Sequence, residues 1–233
     1  MTGGIGMKRF AVAVDGPAGS GKSTVAKAVA KRLGIIYVDT GAMYRGVAYD
    51  CIQKGVDCSD EKAVLLLLEE IHLEIQPTQE GQRIFLENQD ITEKIRTQQI
   101  GQGASEVAKI QSVRQKLGDI QRAMANQNSV VMDGRDIGTY VLPQAEVKIY
   151  MDAGVDERAM RRMGELKAKG EKPDFEVVRK EIIRRDENDM NRQHNPLRKA
   201  KDAVYIDTTK MSIEESVDKI LTIVQEKLGE VWV

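Results

Sequence analysis

A glycine-rich segment directly after a short apolar run constrains this chain more than any other feature. The run is Phe10 to Val14, and the next segment, GPAGSGKST at 16–24, fits the pattern G-x-x-x-x-G-K-[ST]. Such a loop leads from a strand into a helix, and its backbone N–H groups surround phosphate oxygens. The dinucleotide pattern G-x-G-x-x-G fails, because Thr24 stands where its third glycine belongs. The segment therefore predicts a P-loop that binds a nucleoside triphosphate. Its predicted contact residues are Gly16, Pro17, Ala18, Gly19, Ser20, Gly21, Lys22, Ser23 and Thr24.

Three side chains in and near the P-loop are predicted to bind the phosphates or the Mg²⁺ ion that accompanies them. Lys22 is expected to reach the β- and γ-phosphates. The Ser23 hydroxyl is expected to ligate Mg²⁺, and Asp133, directly after the apolar run Ser129 to Met132, to hold the ion through water. Thr24 also has a hydroxyl, but Ser23 occupies the position that the general pattern assigns to the ligand. Because an aspartate after a strand is also typical of a helix cap or turn, a structural role for Asp133 stays open.

The bulk composition disfavours several classes of protein. The 233 residues carry a net charge of −1 with a pI near 6.2, so no global field attracts nucleic acid or an anionic membrane. Only 4% of the residues are aromatic, which leaves few rings to stack on bases. No apolar run reaches the roughly 18 residues of a membrane span, and no secretion signal is recognisable. Cys51 and Cys58 form no C-x-x-C pair and are expected to be reduced. We expect a cytoplasmic protein, and the lack of an apolar interface stripe favours a monomer.

Strand-like and helix-like segments alternate along the chain, which predicts an α/β fold. Five short apolar segments are predicted to be strands, at 10–14, 35–38, 129–132, 147–151 and 203–206. Segments with helical spacing separate them, and the first runs from Thr24 to Leu33 and is closed by Gly34. Strands connected through helices pair in parallel. The expected core is therefore a five-stranded parallel sheet with helices on both faces.

A segment in the middle of the chain departs from that alternation. His72 to Gln76 and Arg83 to Glu87 alternate apolar and polar residues with a period of two, which predicts a small antiparallel hairpin apart from the parallel sheet. Mostly helical sequence follows, from Ile95 to Asn126. The predicted organisation is a core at 8–60 and 127–228, an insert at 61–126 and a flexible leader at 1–7.

Two groups of charged residues have the spacing of helix faces. The first is Arg158, Arg161 and Arg162, at i, i+3 and i+4. The second is Arg185, Asp189 and Arg192, at i, i+4 and i+7. Clustered guanidinium groups can bind phosphoryl oxygens, and an aspartate among them can accept from sugar hydroxyls. Each group also has a structural interpretation: a solvated face with acidic partners for the first, and an ion pair between Arg185 and Asp189 for the second.

Several motifs, in this order along the chain, resemble one known family. They are GPAGSGKST at 16–24, DTGAMYR at 39–45, IRTQ at 95–98, DGRDIGT at 133–139 and RRDENDMNR at 184–192. Together they resemble the bacterial cytidylate kinases, from about Phe10 to about Leu228. The resemblance implies a P-loop kinase core, a helical lid at about 155–172 and an insert that binds the nucleoside monophosphate through a region with a small β-sheet. It also implies transfer of the γ-phosphoryl group of ATP to CMP or dCMP with Mg²⁺.

The same resemblance implies roles for individual residues. Around the acceptor nucleotide it places Thr40, Tyr44, Arg45, Ser105, Arg114, Arg135, Asp136, Arg185, Asp189 and Arg192. Ser105, Arg114 and Asp136 are implied to contact the cytosine edge, where donors and an acceptor distinguish the 4-amino group of cytosine from the 4-oxo group of uracil. The implied catalytic residues are Lys22 and two lid arginines, Arg158 and Arg162.

Two other functions stay open at this point. A P-loop kinase for another small acceptor, such as UMP, AMP or a non-nucleotide, is the nearer alternative. A nucleotide-binding switch that changes partners is the more distant one, because a switch has no evident need for two groups of arginines. Acceptor-dependent turnover separates a kinase from a switch.

Overall fold

The computed structural model describes residues 9–78 and 81–229. The predicted leader at 1–7 lies outside the described residues. The strands are β1 (Ala11–Asp15), β2 (Ile36–Asp39), β3 (Leu73–Thr78), β4 (Gly81–Leu86), β5 (Gln89–Asp90), β6 (Val130–Gly134), β7 (Val147–Asp152) and β8 (Val204–Asp207). The helices are α1 (Lys22–Leu33), α2 (Thr40–Gln53), α3 (Glu61–Glu70), α4 (Gln98–Val107), α5 (Gln111–Gln127), α6 (Val155–Ala168), α7 (Phe175–Asn191) and α8 (Ile213–Leu228), with a π-helix at Ile137–Val141. No helix within the described residues is long and apolar enough to cross a membrane.

The five predicted strands form one parallel sheet, in the order β2-β6-β1-β7-β8. This confirms the predicted α/β core. In the register of the sheet, Asp39 lies beside Asp133, and Asp15 beside Gly134. The carboxyl ends of the strands therefore meet at one edge, where the P-loop leaves β1, and ligands of such sheets bind at that edge.

Apolar side chains cover both faces of the parallel sheet. On one face, α1 and α8 bury residues such as Val29 and Ile220 against Val12 and Ile149. On the other face, the π-helix contributes Ile137, and Met124 of α5 packs against the same cluster. Burial of these side chains removes apolar surface from water on both sides, which fixes the strand ends relative to one another.

The insert contains a three-stranded antiparallel sheet, in the order β3-β4-β5. The predicted hairpin is present, and β3 continues through Pro77, beyond the alternating segment that ends at Gln76. Proline is tolerated there because β3 is an edge strand. The two-residue strand β5 was not predicted. The apolar cluster of the insert includes Val47 and Cys51 of α2, so packing crosses the predicted boundary at residue 60, which stays a prediction.

Two local features differ from the sequence expectation. The mostly helical span from Ile95 to Asn126 is two helices, α4 and α5, with a break at residues 108–110. The π-helix after the DGRDIGT motif had no recognisable signal. Its first N–H groups, from Ile137 and Gly138, donate to the buried carboxylate of Asp15, each at 2.7 Å. A contact between residues so far apart in sequence stabilises a helix type that local propensity disfavours.

Candidate active site

The P-loop joins β1 to α1 and leaves the first turn of α1 without a side-chain cap. Gly21 ends the loop with φ +84°, a conformation that favours glycine. Gly16 has no room for a side chain, because a Cβ there would stand 1.9 Å from the carbonyl oxygen of Met151. Lys22 is buried, and its Nζ donates to the Pro17 carbonyl at 3.2 Å. Uncapped N–H groups beside a lysine form an arrangement suited to phosphate.

Asp133 lies near the end of β6, and two hydroxyl groups hold its carboxylate beside the P-loop. Ser23 Oγ donates to Oδ2 at 2.6 Å, and the Tyr37 hydroxyl donates to Oδ1 at 2.9 Å. Asp133 caps no helix among the described residues, which leaves the capping interpretation without support. Burial raises the pKa of Asp133, and the nearby charge of Asp39 adds to the rise. Burial lowers the pKa of Lys22, and Arg135 acts in the same direction.

The start of α2 carries the next part of the site. Asp39 caps this helix, with Oδ1 accepting from the Ala42 N–H at 3.0 Å. Its Oδ2 lies 3.5 Å from Arg45 Nη1. The Thr40 hydroxyl donates to the carbonyl oxygen of Asp133 at 2.7 Å, which ties α2 to β6. Arg45 lines the cleft.

A buried charged cluster joins α5, the turn after β6 and the end of α7. Arg114 pairs with Asp136 Oδ2, and Arg192 Nη2 lies 3.4 Å from Asp136 Oδ1. The Arg114 guanidinium stacks over the ring of Tyr44, 5.5 Å from its centroid. Arg114 Nε and Arg192 Nη2 are buried without a hydrogen-bond partner among the described residues. Buried polar groups rarely stay unpaired, so these donors mark a place for a polar ligand.

A second group of charges connects the same turn to α7. Arg135 Nε donates to Asp189 Oδ2 at 2.7 Å, and Arg192 Nη1 lies 3.8 Å from Asp189 Oδ1. Asp189 thus pairs with Arg135 and Arg192. The ion-pair interpretation required a pair between Asp189 and Arg185, which is not formed. Arg185 forms no ion pair or hydrogen bond with any other described residue, and burial and then Arg135 lower its pKa to about 10. A cation in such surroundings is stabilised by an anionic ligand.

Arg158, the first arginine of α6, is buried against the P-loop backbone. Its Nη1 donates to the Ala18 carbonyl at 3.0 Å and lies 2.6 Å from Asp186 Oδ2. Only 4% of this residue is exposed, so the solvated-face interpretation does not hold for it. Arg158 therefore connects the P-loop to α6 and α7.

The other two arginines of α6 point to different partners. Arg161 donates to the carbonyl oxygens of Ser20 at 3.3 Å and of Thr208 at 2.7 Å, between the P-loop and the loop after β8. Arg162 lines the cleft and pairs with the exposed Glu165 at 2.7 Å. The three arginines do not form one cationic face. Arg161 and Arg162 both line the cleft, but Arg161 is held by backbone carbonyls, whereas Arg162 has an exposed ion-pair partner, which contributes little stability.

One cleft of about 880 Å³ contains most of the predicted site. Its lining includes Ala18, Gly19, Ser20, Gly21, Lys22, Ser23, Thr24, Thr40, Tyr44, Arg45, Ser105, Arg114, Asp133, Arg135, Asp136, Arg162, Arg185 and Arg192. The predicted residues outside the lining are Gly16, Pro17, Arg158 and Asp189. Ser105 lies on α4, and its Oγ donates to the Gly101 carbonyl at 3.3 Å. The P-loop and the buried charged clusters therefore share one cavity.

Three residues that support the site were missed at the sequence level. Tyr37 holds Asp133, and its place two residues before the DTGAMYR motif was the available signal. Asp15 binds the π-helix, and an aspartate at the end of a strand, directly before the P-loop, was a signal as well. Gln82 bonds to the backbone of Asp39, and no sequence pattern marked it.

The parallel sheet, the P-loop at its carboxyl edge and the basic cleft define the class of P-loop kinases. A crystal structure of an uncharacterized protein from Eubacterium ventriosum aligns with a TM-score of 0.55 at 15% identity, covering 93% of this chain and 99% of that one, and supports the fold alone.

Sequence comparisons identify the family within this class. A family model described as cytidylate kinase matches residues 12–226. A cytidylate kinase of Geobacillus sp. is 51% identical over 94% of this chain and 97% of its own length. The cytidylate kinase of Bacillus subtilis is 49% identical over 94% of this chain and 98% of its own length. The chain belongs to the cytidylate kinase family and is an enzyme.

Proposed function

We propose that this enzyme transfers the γ-phosphoryl group of ATP to CMP or dCMP, giving ADP and CDP or dCDP. The observation that carries the proposal is the shared cleft, in which the P-loop and a second set of buried charges face one cavity. The P-loop suits the donor triphosphate. The cluster of Arg114, Asp136 and Arg192 suits a polar base edge, and the cationic surroundings of Arg185 suit an acceptor phosphate.

The chemical problem in this cleft is charge repulsion and alignment. The attacking oxygen of a nucleoside monophosphate is already anionic at neutral pH, so a general base adds little. Lys22 and Arg162 would offset the charge of the donor phosphates, and Arg45, Arg135 and Arg185 that of the acceptor phosphate. Closure of the lid at 155–172 would exclude water, which otherwise accepts the phosphoryl group. Arg158 would contribute by holding the P-loop backbone in place, through its hydrogen bond to the Ala18 carbonyl.

Ser23 and Asp133 fit a magnesium ion that keeps several of its waters. A hydroxyl and a carboxylate within 2.6 Å of each other are hard oxygen donors of the kind that Mg²⁺ prefers. No group of three or more acidic, histidine or cysteine side chains suited to a metal occurs within the described residues, and Mg²⁺ in kinases requires only one or two carboxylates beside the substrate phosphates. When bound with ATP, Mg²⁺ neutralises phosphate charge.

The cytosine edge would be read by Ser105, Arg114 and Asp136. The Asp136 carboxylate accepts hydrogen bonds and therefore favours the 4-amino group of cytosine over the 4-oxo group of uracil. Its two arginine partners hold that carboxylate in a fixed orientation. A site that accepts a hydrogen bond from the 4-amino group of cytosine disfavours UMP, which lacks that group. With UMP bound, the buried Asp136 carboxylate would lose a hydrogen-bond donor.

We further propose that the enzyme acts as a cytoplasmic monomer on free nucleotides. Large apolar side chains that are exposed within the described residues are spread over several elements, for example Leu66 on α3, Val177 on α7 and Ile213 on α8. Singly scattered apolar residues are normal on a monomer.

The deciding experiment measures ADP formation from Mg·ATP with CMP, dCMP, UMP and AMP offered separately. Strong turnover with CMP and dCMP, and weak turnover with UMP and AMP, is the expected result. Preference for UMP, AMP or a non-nucleotide acceptor would refute the proposed substrate. ATP binding without turnover on any acceptor would favour the nucleotide switch.

A further inference from the structure

One polar contact joins the antiparallel sheet of the insert to the edge of the parallel sheet. The Asp39 N–H donates to Gln82 Oε1, and Gln82 Nε2 donates to the Asp39 carbonyl, each at 2.9 Å. Gln82 belongs to β4, and Asp39 is the last residue of the edge strand β2. The side-chain amide thus satisfies both backbone groups of Asp39, as a neighbouring strand would. We call this pair of hydrogen bonds the Gln82 clamp.

The clamped residue stands between the two sides of the cleft. Toward the acceptor side, the Asp39 carboxylate caps α2 and lies 3.5 Å from Arg45. Toward the donor side, the backbone of Asp39 lies beside Asp133 in the register of the sheet, and the adjacent Thr40 bonds to the Asp133 carbonyl, so this side stays held when the clamp is removed. A displacement of the Asp39 carboxylate would therefore change the position of Arg45 directly and would act on Lys22 and the Asp133 carboxylate only through a longer-range field.

We propose that Gln82 is a positioning residue for the acceptor phosphate. The clamp fixes the backbone of Asp39, and the Asp39 carboxylate in turn orients Arg45 toward the cleft. Gln82 does not itself line the cleft, so its effect passes through Asp39. The inference rests on the proposed function, because it takes Arg45 as a ligand of the acceptor phosphate.

The clamp predicts a specific kinetic signature. Without it, Asp39 and Arg45 sample more orientations, and binding of the acceptor must order them. The affinity for the acceptor is therefore the quantity that decreases when the clamp is removed. Once the acceptor is bound, Arg45 is ordered again, and the chemical step proceeds at nearly the same rate.

The test compares Gln82→Ala and Gln82→Glu with the wild type at saturating Mg·ATP. We expect the KM for CMP to rise about 5- to 10-fold in Gln82→Ala, which corresponds to about 1–1.4 kcal/mol, because only part of the loss of the two hydrogen bonds reaches Arg45. We expect kcat and the KM for ATP to change less than about twofold. Gln82→Glu keeps the length of the side chain but cannot donate to the Asp39 carbonyl, so it should raise the KM for CMP as well.

Gln76→Ala is the matched control. Gln76 lies on the neighbouring strand β3, and among the described residues its side-chain amide donates to the Glu74 side chain alone, at 3.1 Å on the exposed surface. Its removal should leave every kinetic constant unchanged. Equal rises in the KM for CMP in Gln76→Ala and Gln82→Ala would overturn the proposal, because the effect would then belong to the small sheet as a whole.

Two further readouts separate the remaining outcomes. Hydrogen exchange at the Asp39 amide should be faster in Gln82→Ala, and this reports the clamp independently of catalysis. A lower melting temperature with an unchanged KM for CMP in both Gln82 variants would reduce Gln82 to a structural role and overturn the proposal. Failure of the wild type to phosphorylate CMP would instead refute the proposed function, and the exchange rates would still test the clamp.

Discussion

The two sides of the cleft are assembled in different ways. The donor side is the P-loop, with Asp133 and its two hydroxyl donors, and most of its contacts come from nine consecutive residues at 16–24. The acceptor side draws on α2, α4, α5, the turn after β6 and α7. Its ion pairs join residues 22 positions apart, for Arg114 and Asp136, and 54 positions apart, for Arg135 and Asp189.

This difference predicts different consequences of mutation. Backbone N–H groups form much of the donor side, and its lysine is a buried cation with a lowered pKa, so removing Lys22 need not destabilise the fold. The acceptor side contains buried or half-buried charges that pair with one another, which are Arg114, Arg135, Asp136, Asp189 and Arg192. Removing one of them leaves its partner buried and unpaired, so substrate binding and stability should fall together.

The largest expected effect is on the donor side. Lys22→Ala should reduce turnover about 10³-fold, the size expected from loss of a preorganised charge in a closed site. The midpoint of urea unfolding should stay unchanged or rise. Lys27→Ala, on the exposed side of the same helix, is the control. Turnover within tenfold of the wild type would contradict the assignment of Lys22 to the donor phosphates.

Asp136→Asn tests the acceptor side, with a smaller effect on activity. The ratio of kcat/KM for CMP to that for UMP should fall about 10- to 100-fold, since a hydrogen bond to a charged group contributes about 1.5–3 kcal/mol. The free energy of unfolding should fall by about 3–5 kcal/mol, because Arg114 loses its buried partner.

The control for this variant is Asp119→Asn, on the same helix as Arg114. Asp119 pairs with Arg122 at 2.8 Å, but 69% of its side chain is exposed. Its loss should change stability by less than about 1 kcal/mol. An Asp136→Asn protein that keeps its stability and its preference for CMP would show that the acceptor side is no more interdependent than the donor side.

The same difference decides how much the sequence could predict. The P-loop and the five strands follow from local patterns, because a strand, a glycine turn and a helix start are short-range features. The hydrogen bond between Ser23 and Asp133 joins residues 110 positions apart and was not predicted. The partners of Asp136 do not follow from local patterns either. The spacing of Arg185 and Asp189 left an intrahelical ion pair open as an alternative, and Asp189 instead binds Arg135. Only a resemblance to known motifs brought Arg114 and Asp136 into one set.

Residues that act through a second residue were the hardest to predict. Gln82 is one polar residue in an alternating strand, and its contact with Asp39 exists only because the small sheet packs on β2. Arg158 has the spacing of a surface arginine, yet tertiary packing buries it against the P-loop and Asp186. Such contacts depend on where whole elements dock, which periodicity within one element does not specify.

Tyr37→Phe gives the smallest effect and the sharpest test of how local the donor side is. The substitution removes one donor to Asp133, while the Ser23 bond and the ring remain. A hydrogen bond to a charged group contributes about 1.5–3 kcal/mol, but the Ser23 bond still orients the carboxylate, so only part of that contribution should be lost. The Mg²⁺ concentration for half-maximal turnover should therefore rise about two- to tenfold, with the KM for CMP unchanged. Tyr49→Phe, in the apolar cluster of the insert, should change neither value. A rise confined to the KM for CMP would mean that Tyr37 acts through α2 and the acceptor side. An unchanged Mg²⁺ requirement would mean that Ser23 and the P-loop alone orient Asp133, and the donor side would then be local in the strict sense.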